Sequence, residues 1–226
     1  MMRPHNLKMP YQWDERKPLL SKGLFSVPNF YFAHSEYRLP DFSHESIFGN
    51  DNPVYCEICS GNGDWVIAQA LKNPDCNWIA VEKRFDRVRK IFSKYMNCKI
   101  ANLLVVYGEA NTFFSNYLID QSMEKVFIHF PDPWPKTRHA KHRLITKGFM
   151  LEVRRVLKKK GDLIVVTDDE PFLKQSISII RETLISESES PYYVIIDKEA
   201  HGISWFESLW RGKGKAIYRS VFSNGI

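Results

Sequence analysis

The sequence predicts a doubly wound α/β fold, a mostly parallel sheet with helices on both faces. Three observations carry this expectation. From Val54 onward, short apolar runs alternate with segments of helical length, the pattern of strands buried on both faces and of the helices that cover them. The first run leads into a turn, Ser60-Gly61-Asn62-Gly63, where glycines let backbone approach a ligand closely. Acids recur where successive strands stop, the edge at which sheets of this kind bind ligands.

The elements follow in order. Residues 1–50 are rich in proline, aromatics and charge without a clear period, which predicts an irregular N-terminal arm with at most short helical pieces, and residues 51–226 are expected to form the folded domain. Strand Val54–Cys59 precedes a helix over Asp64–Leu71, and strand Trp78–Glu82 precedes a helix over Arg84–Met96. Strand Leu103–Tyr107 precedes a helix over Thr112–Leu118, and Val126–Phe130 is followed by a loop and a helix over Thr146–Leu157. A fifth strand, Asp162–Thr167, leads to Glu170-Pro171, a helix-start signal, and a helix reaching Ile185. Tyr192–Ile196 and Ala216–Phe222 are further strand candidates, and the Ser/Glu alternation over 186–190 reads as a surface loop.

Bulk properties bound the class. The 226 residues suit one domain with decoration, and 44% hydrophobic content is enough for a sizeable core. A formal net charge of +6 and a pI near 9.0 favour a polyanionic partner. No apolar run is long enough to span a bilayer, so no membrane association is expected. The start, Met1-Met2-Arg3-Pro4-His5-Asn6, lacks the apolar region of a secretory signal, and a cytoplasmic location is expected. Cys56 and Cys59 form a C-x-x-C, but Cys76 and Cys98 make no second close pair and the motif does not open a helix. These thiols read as packed, reduced side chains, and no metal is expected.

The most informative segment is Phe130-Pro131-Asp132-Pro133-Trp134-Pro135-Lys136. Three prolines in five residues fix φ and bias their predecessors towards extended backbone, so a strand ends in a pre-shaped loop carrying an acid and an aromatic ring. Thr137-Arg138-His139-Ala140-Lys141-His142-Arg143 follows, a cationic run suited to phosphates. Glu57, Glu82, Glu109 and Asp132 stand at or near four successive strand ends. Singly each has a plainer reading: Glu82 and Glu109 as acids at helix starts, and the G-x-G turn as one of many such turns. Together they point to a ligand site. Four acids would repel a pyrophosphate, whereas a donor with an ammonium, a sulfonium and a ribose suits them, which favours S-adenosylmethionine over a dinucleotide.

These residues resemble the bacterial tRNA (guanine-N7)-methyltransferase family. The resemblance rests on Glu57-Ile58-x-x-Gly61-Asn62-Gly63, Val81-Glu82, the string from Phe130 to Lys136 continued by Arg138-His139-x-Lys141-x-Arg143, Thr167-Asp168, and Trp205-Phe206-Glu207. It covers about residues 54–222; the P-D-P-W-x-K-x-R-H string is specific, the glycine turn is not. It implies a Rossmann-like class I methyltransferase sheet with an antiparallel final strand, S-adenosyl-L-methionine as cofactor and tRNA as partner. The target implied is N7 of the variable-loop guanine at position 46. By the same resemblance Glu57, Gly61, Gly63, Glu82, Glu109 and Asp132 bind the donor, with Asp132 also catalytic. Lys136, Asp168, Ser204, Trp205, Phe206 and Glu207 match substrate-binding positions. Cys59 departs from the family, which has glycine there; Ser204 replaces threonine, and Glu109 is a methylene longer than the usual Asp.

The residues also suggest roles by chemistry. Guanine N7 carries a free lone pair, so proximity and charge stabilisation matter more than a general base. Arg138, Lys141, Arg143 and Arg211 are candidates for the tRNA backbone, and the stretch Arg211–Lys215 reads as a flexible cationic loop. Trp134 is suited to stacking on a base or to walling the site. A methyltransferase of other specificity, a nicotinamide oxidoreductase and a non-catalytic RNA-binding protein are the alternatives. A reversed Pro-Asp order disfavours amino-methylating DNA enzymes, and Val66 stands where the dinucleotide fingerprint wants glycine. A monomer or a homodimer is equally compatible with the sequence.

Overall fold

The computed structural model describes residues 1–10, 16–29, 33–197 and 204–225. The chain divides into two compact units, Met1–Leu118 and Ile119–Ile226.

In the first unit the strands are β1 (Leu19–Ser21), β2 (Leu24–Ser26), β3 (Val54–Ile58), β4 (Asn77–Glu82) and β5 (Leu103–Tyr107). The helices are α1 (Asp64–Lys72), α2 (Phe85–Cys98) and α3 (Ala110–Tyr117). The order is β1-β2-β5-β4-β3. β3, β4 and β5 are parallel, with Glu57 opposite Ala80 and Glu82 opposite Tyr107. All six β4 residues are buried, as expected of a strand covered on both faces.

β1 and β2 lie inside the arm expected to be irregular. They are three residues each, too short to show a period, but the Lys22-Gly23 turn between them has positive φ at both positions, +48° and +76°. That is the backbone of a two-residue hairpin whose twist matches its strands. A Cβ on Gly23 would collide with the Tyr95 hydroxyl, and its φ is one that glycine adopts freely, so glycine suits the position. β2 then runs parallel to β5, pairing Phe25 with Val106. The first residues are tied to α2: Ser93 Oγ donates to Met2 O at 2.7 Å and Arg89 Nε to Leu7 O at 2.9 Å.

The second unit holds strands β6 (Met123–His129), β7 (Leu157–Thr167), β8 (Ile185–Ser186), β9 (Val194–Ile195) and β10 (Tyr218–Ser223). Its helices are α4 (Lys147–Val156), α5 (Glu170–Ile180) and α6 (Trp205–Gly212), with a short 3-10 segment over Thr137–His142. β6 and β7 are parallel, whereas β10 runs antiparallel to β7, β8 and β9. Ile164, Val166, Ile196 and Ile217 form a buried cluster, against which Phe127, Phe130, Trp210 and Val221 pack.

Several boundaries differ from expectation; β6, for example, begins at Met123 rather than Val126, and β9 spans only Val194–Ile195. β7 starts at Leu157, before the expected Asp162, and runs through the lysine stretch, since only its later half is buried on both sides. α5 stops at Ile180 rather than Ile185: the amides of Thr183 and Leu184 both turn back to Ile180 O, and Ile185 then pairs with Ser223. α6 replaces part of the expected cationic loop. Its start is set by Ser204, whose hydroxyl accepts from Glu207 N at 3.0 Å, a cap that satisfies an otherwise unpaired helical amide. Among the described residues no helix is long and apolar enough to cross a membrane.

Candidate active site

In the first unit the acids gather at the carboxyl ends of parallel strands. Glu57 is the penultimate residue of β3, 1% exposed. Burial pushes its carboxyl up to about 8; a hydrogen bond from Ser60 opposes the shift and the charge of Asp64 adds to it. The acid is therefore held largely protonated at neutral pH, in a place where a cationic ligand would favour its ionised form. Cys56 beside it is fully buried, and burial raises its thiol, with a further contribution from Glu57. No group of three or more His, Cys, Asp or Glu among the described residues could hold a metal ion.

The glycine turn is shaped by Glu82, the last residue of β4. Its Oε2 accepts from Gly61 N at 2.9 Å, its Oε1 from Arg84 N at 2.8 Å, and Arg87 lies 3.8 Å away. Desolvation raises the Glu82 carboxyl, opposed by these bonds and by Arg87. Each oxygen retains lone-pair capacity for a ligand hydroxyl. The turn needs positive φ at Cys59 (+64°), Gly61 (+56°) and Gly63 (+77°). A Cβ on Gly63 would lie 2.9 Å from Ile91 Cγ1, so close packing on α2 demands glycine. From α2, Lys94 Nζ donates to Asn62 O at 2.8 Å and pairs with Asp64, clamping the turn from its far side. Sequence reasoning missed Lys94, and no local signal marks it. Glu109 is the N-cap residue of α3, exposed and making no side-chain cap bond.

In the second unit, Asp132 follows β6 and is exposed. Phe130 and Trp134, on either side of Pro131-Asp132-Pro133, both have positive φ, +45° and +43°. Non-glycine residues there carry strain, which surrounding contacts must hold in place. Phe130 is stacked on Phe206, centroids 6.2 Å apart, and its amide donates to Val166 O at 2.8 Å. Trp134 rests against the His139 and His142 rings at 5.5 and 5.2 Å. Arg143 closes the loop: Nε donates to Pro133 O and Trp134 O, Nη2 to Trp134 O, and Nη1 to Gln175 Oε1. That guanidinium, read from sequence as a phosphate contact, is committed to bracing the loop. At the end of β6 His129 is buried, and burial lowers its imidazole to about 3. It stays neutral at physiological pH.

The remaining predicted residues of this unit are in differing states. Lys136, Arg138 and Lys141 are exposed. Asp168, just past β7, pairs with Lys215. On α6, Ser204 is the helix cap and Glu207 is buried, its Oε1 accepting from Arg211 Nε at 2.9 Å. Arg211 Nη2 also donates to Ile196 O at 2.7 Å. Charge placed Arg211 among the phosphate contacts, yet its guanidinium ties α6 to the strand edge. Trp205 remains 49% exposed, its ring edge-on to Phe206 at 5.0 Å.

Comparison with known proteins places these features. Residues 51–220 match the family model described as "Putative methyltransferase". A Chlamydia felis protein named tRNA (guanine-N(7)-)-methyltransferase is 51% identical over 98% of this chain and 97% of its own length. A Streptococcus thermophilus protein of the same name is 33% identical over 76% of this chain and 81% of its own. Among solved structures, an antibiotic-related methyltransferase aligns with TM-score 0.57 at 17% identity over 78% of this chain and 90% of that one. The aminoglycoside resistance methyltransferase NpmB1 aligns with TM-score 0.54 at 17% identity, over 76% of this chain and 86% of that one. At such identity these two structures bear on the fold alone.

Proposed function

The chain belongs to the tRNA (guanine-N7)-methyltransferase family, and from that premise we propose that it methylates N7 of guanine 46, in the variable loop of tRNA. S-adenosyl-L-methionine is the donor, and it supplies an electrophilic methyl on a sulfonium. The residues present fit it. Glu57, Glu82 and Glu109 stand at or just past the carboxyl ends of three parallel strands of one unit; such a set suits an ammonium, a ribose and an adenine amine and opposes a pyrophosphate. Glu57 takes the ammonium or its neighbourhood, Glu82 the ribose while it holds Gly61, and Glu109 the adenine. Gly61 and Gly63 keep side chains out of the turn beside them.

The observation that carries the acceptor reading is Asp132, an exposed carboxylate on a strained, braced loop next to a cationic segment. Guanine N7 has a free lone pair, so the site need remove no proton; it has to align the base and hold the positive charge that methylation would place on the purine. Asp132 accepts from guanine N1–H and the exocyclic amine and stabilises that charge. Lys136 and Asp168 assist in holding the base, and Trp205, supported by Phe206, offers an open aromatic face to it. Ser204 and Glu207 contribute by setting the start and pitch of α6. Lys141 and Arg138 meet backbone phosphates. Cytoplasmic tRNA is the expected pool.

The test is transfer of labelled methyl from S-adenosylmethionine to unmodified tRNA, with nucleoside analysis. 7-Methylguanosine that disappears when guanine 46 is replaced is the expected result. Label in another nucleoside overturns the specificity, and no label despite donor binding overturns the acceptor. Asp132→Ala is expected to abolish turnover while leaving the fold intact; near-normal turnover removes it from the catalytic role.

A further inference from the structure

In the second unit Lys215 stands on the carboxylate assigned above to the acceptor. Its Nζ donates to Asp168 Oδ2 and lies 4.2 Å from the centroid of the Trp210 ring. Trp210 is anchored: it packs against the Ile164, Val166, Ile196 and Ile217 cluster, and its carbonyl accepts from Lys215 N at 3.1 Å. Lys213 shares the ring, 4.6 Å from its centroid. The partners differ in freedom. The Asp168 side chain is 11% exposed and that of Lys215 is 45% exposed. Gly212 precedes Lys213 and Gly214 separates the two lysines, both in open space and Gly214 at φ +75°.

A carboxylate that carries an ammonium is less available to a guanine N–H donor. Yet the Lys215 side chain is 45% exposed, open to a competing anion, and a lysine resting on an aromatic face can turn about it while keeping that contact. A nearly buried acid and a half-exposed cation thus meet at one oxygen, and an incoming tRNA brings both a donor for the acid and a phosphate for the cation.

We propose that Lys215 is a displaceable counterion of the acceptor site. Without tRNA it neutralises Asp168; on tRNA binding it passes to a backbone phosphate, and Asp168 is released to the base. The exchange keeps an acid from standing bare in a basic binding face and ties its exposure to the arrival of RNA. This inference rests on the assignment of Asp168 to the acceptor.

The experiment measures the affinity of the full-length enzyme for an unmodified tRNA transcript across a salt series, with KM and kcat alongside. Each phosphate contact contributes about 0.7–0.9 to the slope of log K against log salt. Lys215→Met is expected to lower the slope by about that amount, to weaken binding severalfold and to raise KM more than it lowers kcat. Lys215→Arg is expected to restore the slope. S-adenosylmethionine binding, measured separately, reports that each variant is folded. An unchanged slope in Lys215→Met with a fallen kcat overturns the exchange, since the lysine then stays on Asp168 throughout. Asp168→Asn separates the underlying reading: wild-type turnover by that variant overturns the assignment of Asp168 and the exchange with it.

Discussion

Cys59 occupies a left-handed backbone position, φ +64°, the region that favours glycine. A side chain there costs on the order of 1 kcal/mol, offset in part by the greater unfolded-state entropy of glycine. Cys59→Gly is therefore expected to preserve donor binding and to leave stability unchanged or raised by up to ~1 kcal/mol. Urea unfolding reads this, and a clear loss would mean that the thiol makes contacts outweighing the strain. Glu57 makes a second prediction at this scale. Held near 8 by burial, it is mostly protonated at pH 7 and must ionise to meet an ammonium. Donor binding at pH 7 is expected to release about one proton and to tighten as pH rises from 6 to 7.5. Calorimetry in buffers of differing ionisation enthalpy measures the proton directly. No release would place the ammonium away from Glu57.

At the scale of elements, the glycine turn and the Pro-Asp-Pro loop are both held from outside themselves. The turn is clamped by Lys94 on α2 and by Glu82 at the end of β4. Lys94→Met removes the clamp but leaves the acids; it is expected to weaken donor binding about 3- to 10-fold, the scale of a half-exposed, hydrogen-bonded ion pair. Titration with S-adenosylmethionine decides it, and unchanged affinity would mean that Glu82 suffices. The loop is braced by Arg143 through two carbonyls. Arg143→Ala is expected to lower kcat at least tenfold with little change in the salt slope of tRNA binding; a lowered slope with normal kcat would return Arg143 to the phosphate contacts. These braces were not legible in the sequence. Arg143 and Arg211 look like phosphate ligands by charge and position, and only their hydrogen bonds to Trp134 O and Ile196 O reveal structural use. The long apolar strands were legible because burial on both faces makes them continuous runs. β1, β2 and β8 were not, because two or three residues have no period and what makes them strands is pairing, of β1 with β2, of β2 with β5 and of β8 with β10.

For the molecule as a whole, buried ionisable groups set the pH response. Glu57 has its pKa raised from 4.5 to about 8, and Glu82 is shifted in the same direction. In that window the folded state binds more protons than the unfolded one, so stability falls as pH rises. His129 is lowered from 6.5 to about 3; there the unfolded state binds more protons, so stability falls as pH drops below about 6.5. The donor-free protein is expected to melt at a higher temperature near pH 6 than near pH 8, and saturating S-adenosylmethionine is expected to narrow the difference. Melting measured across pH 5 to 8 checks both; a higher midpoint at pH 8 without donor would contradict the assigned burial of Glu57.

What the sequence determined by itself is the alternation of strands and helices, the acids at strand ends, the stiff acid-bearing loop, and through the specific Phe130–Arg143 string the family. Each is a local property, fixed by period, proline geometry or residue type. What only the tertiary structure decided is how those groups are used. The protonation of Glu57, the neutrality of His129, the commitment of Arg143 and Arg211 to carbonyls, and the pairing of Lys215 with Asp168 all depend on burial and on partners distant in the chain. Desolvation and hydrogen bonding act through space, and no local run of residues encodes which neighbour a side chain will meet.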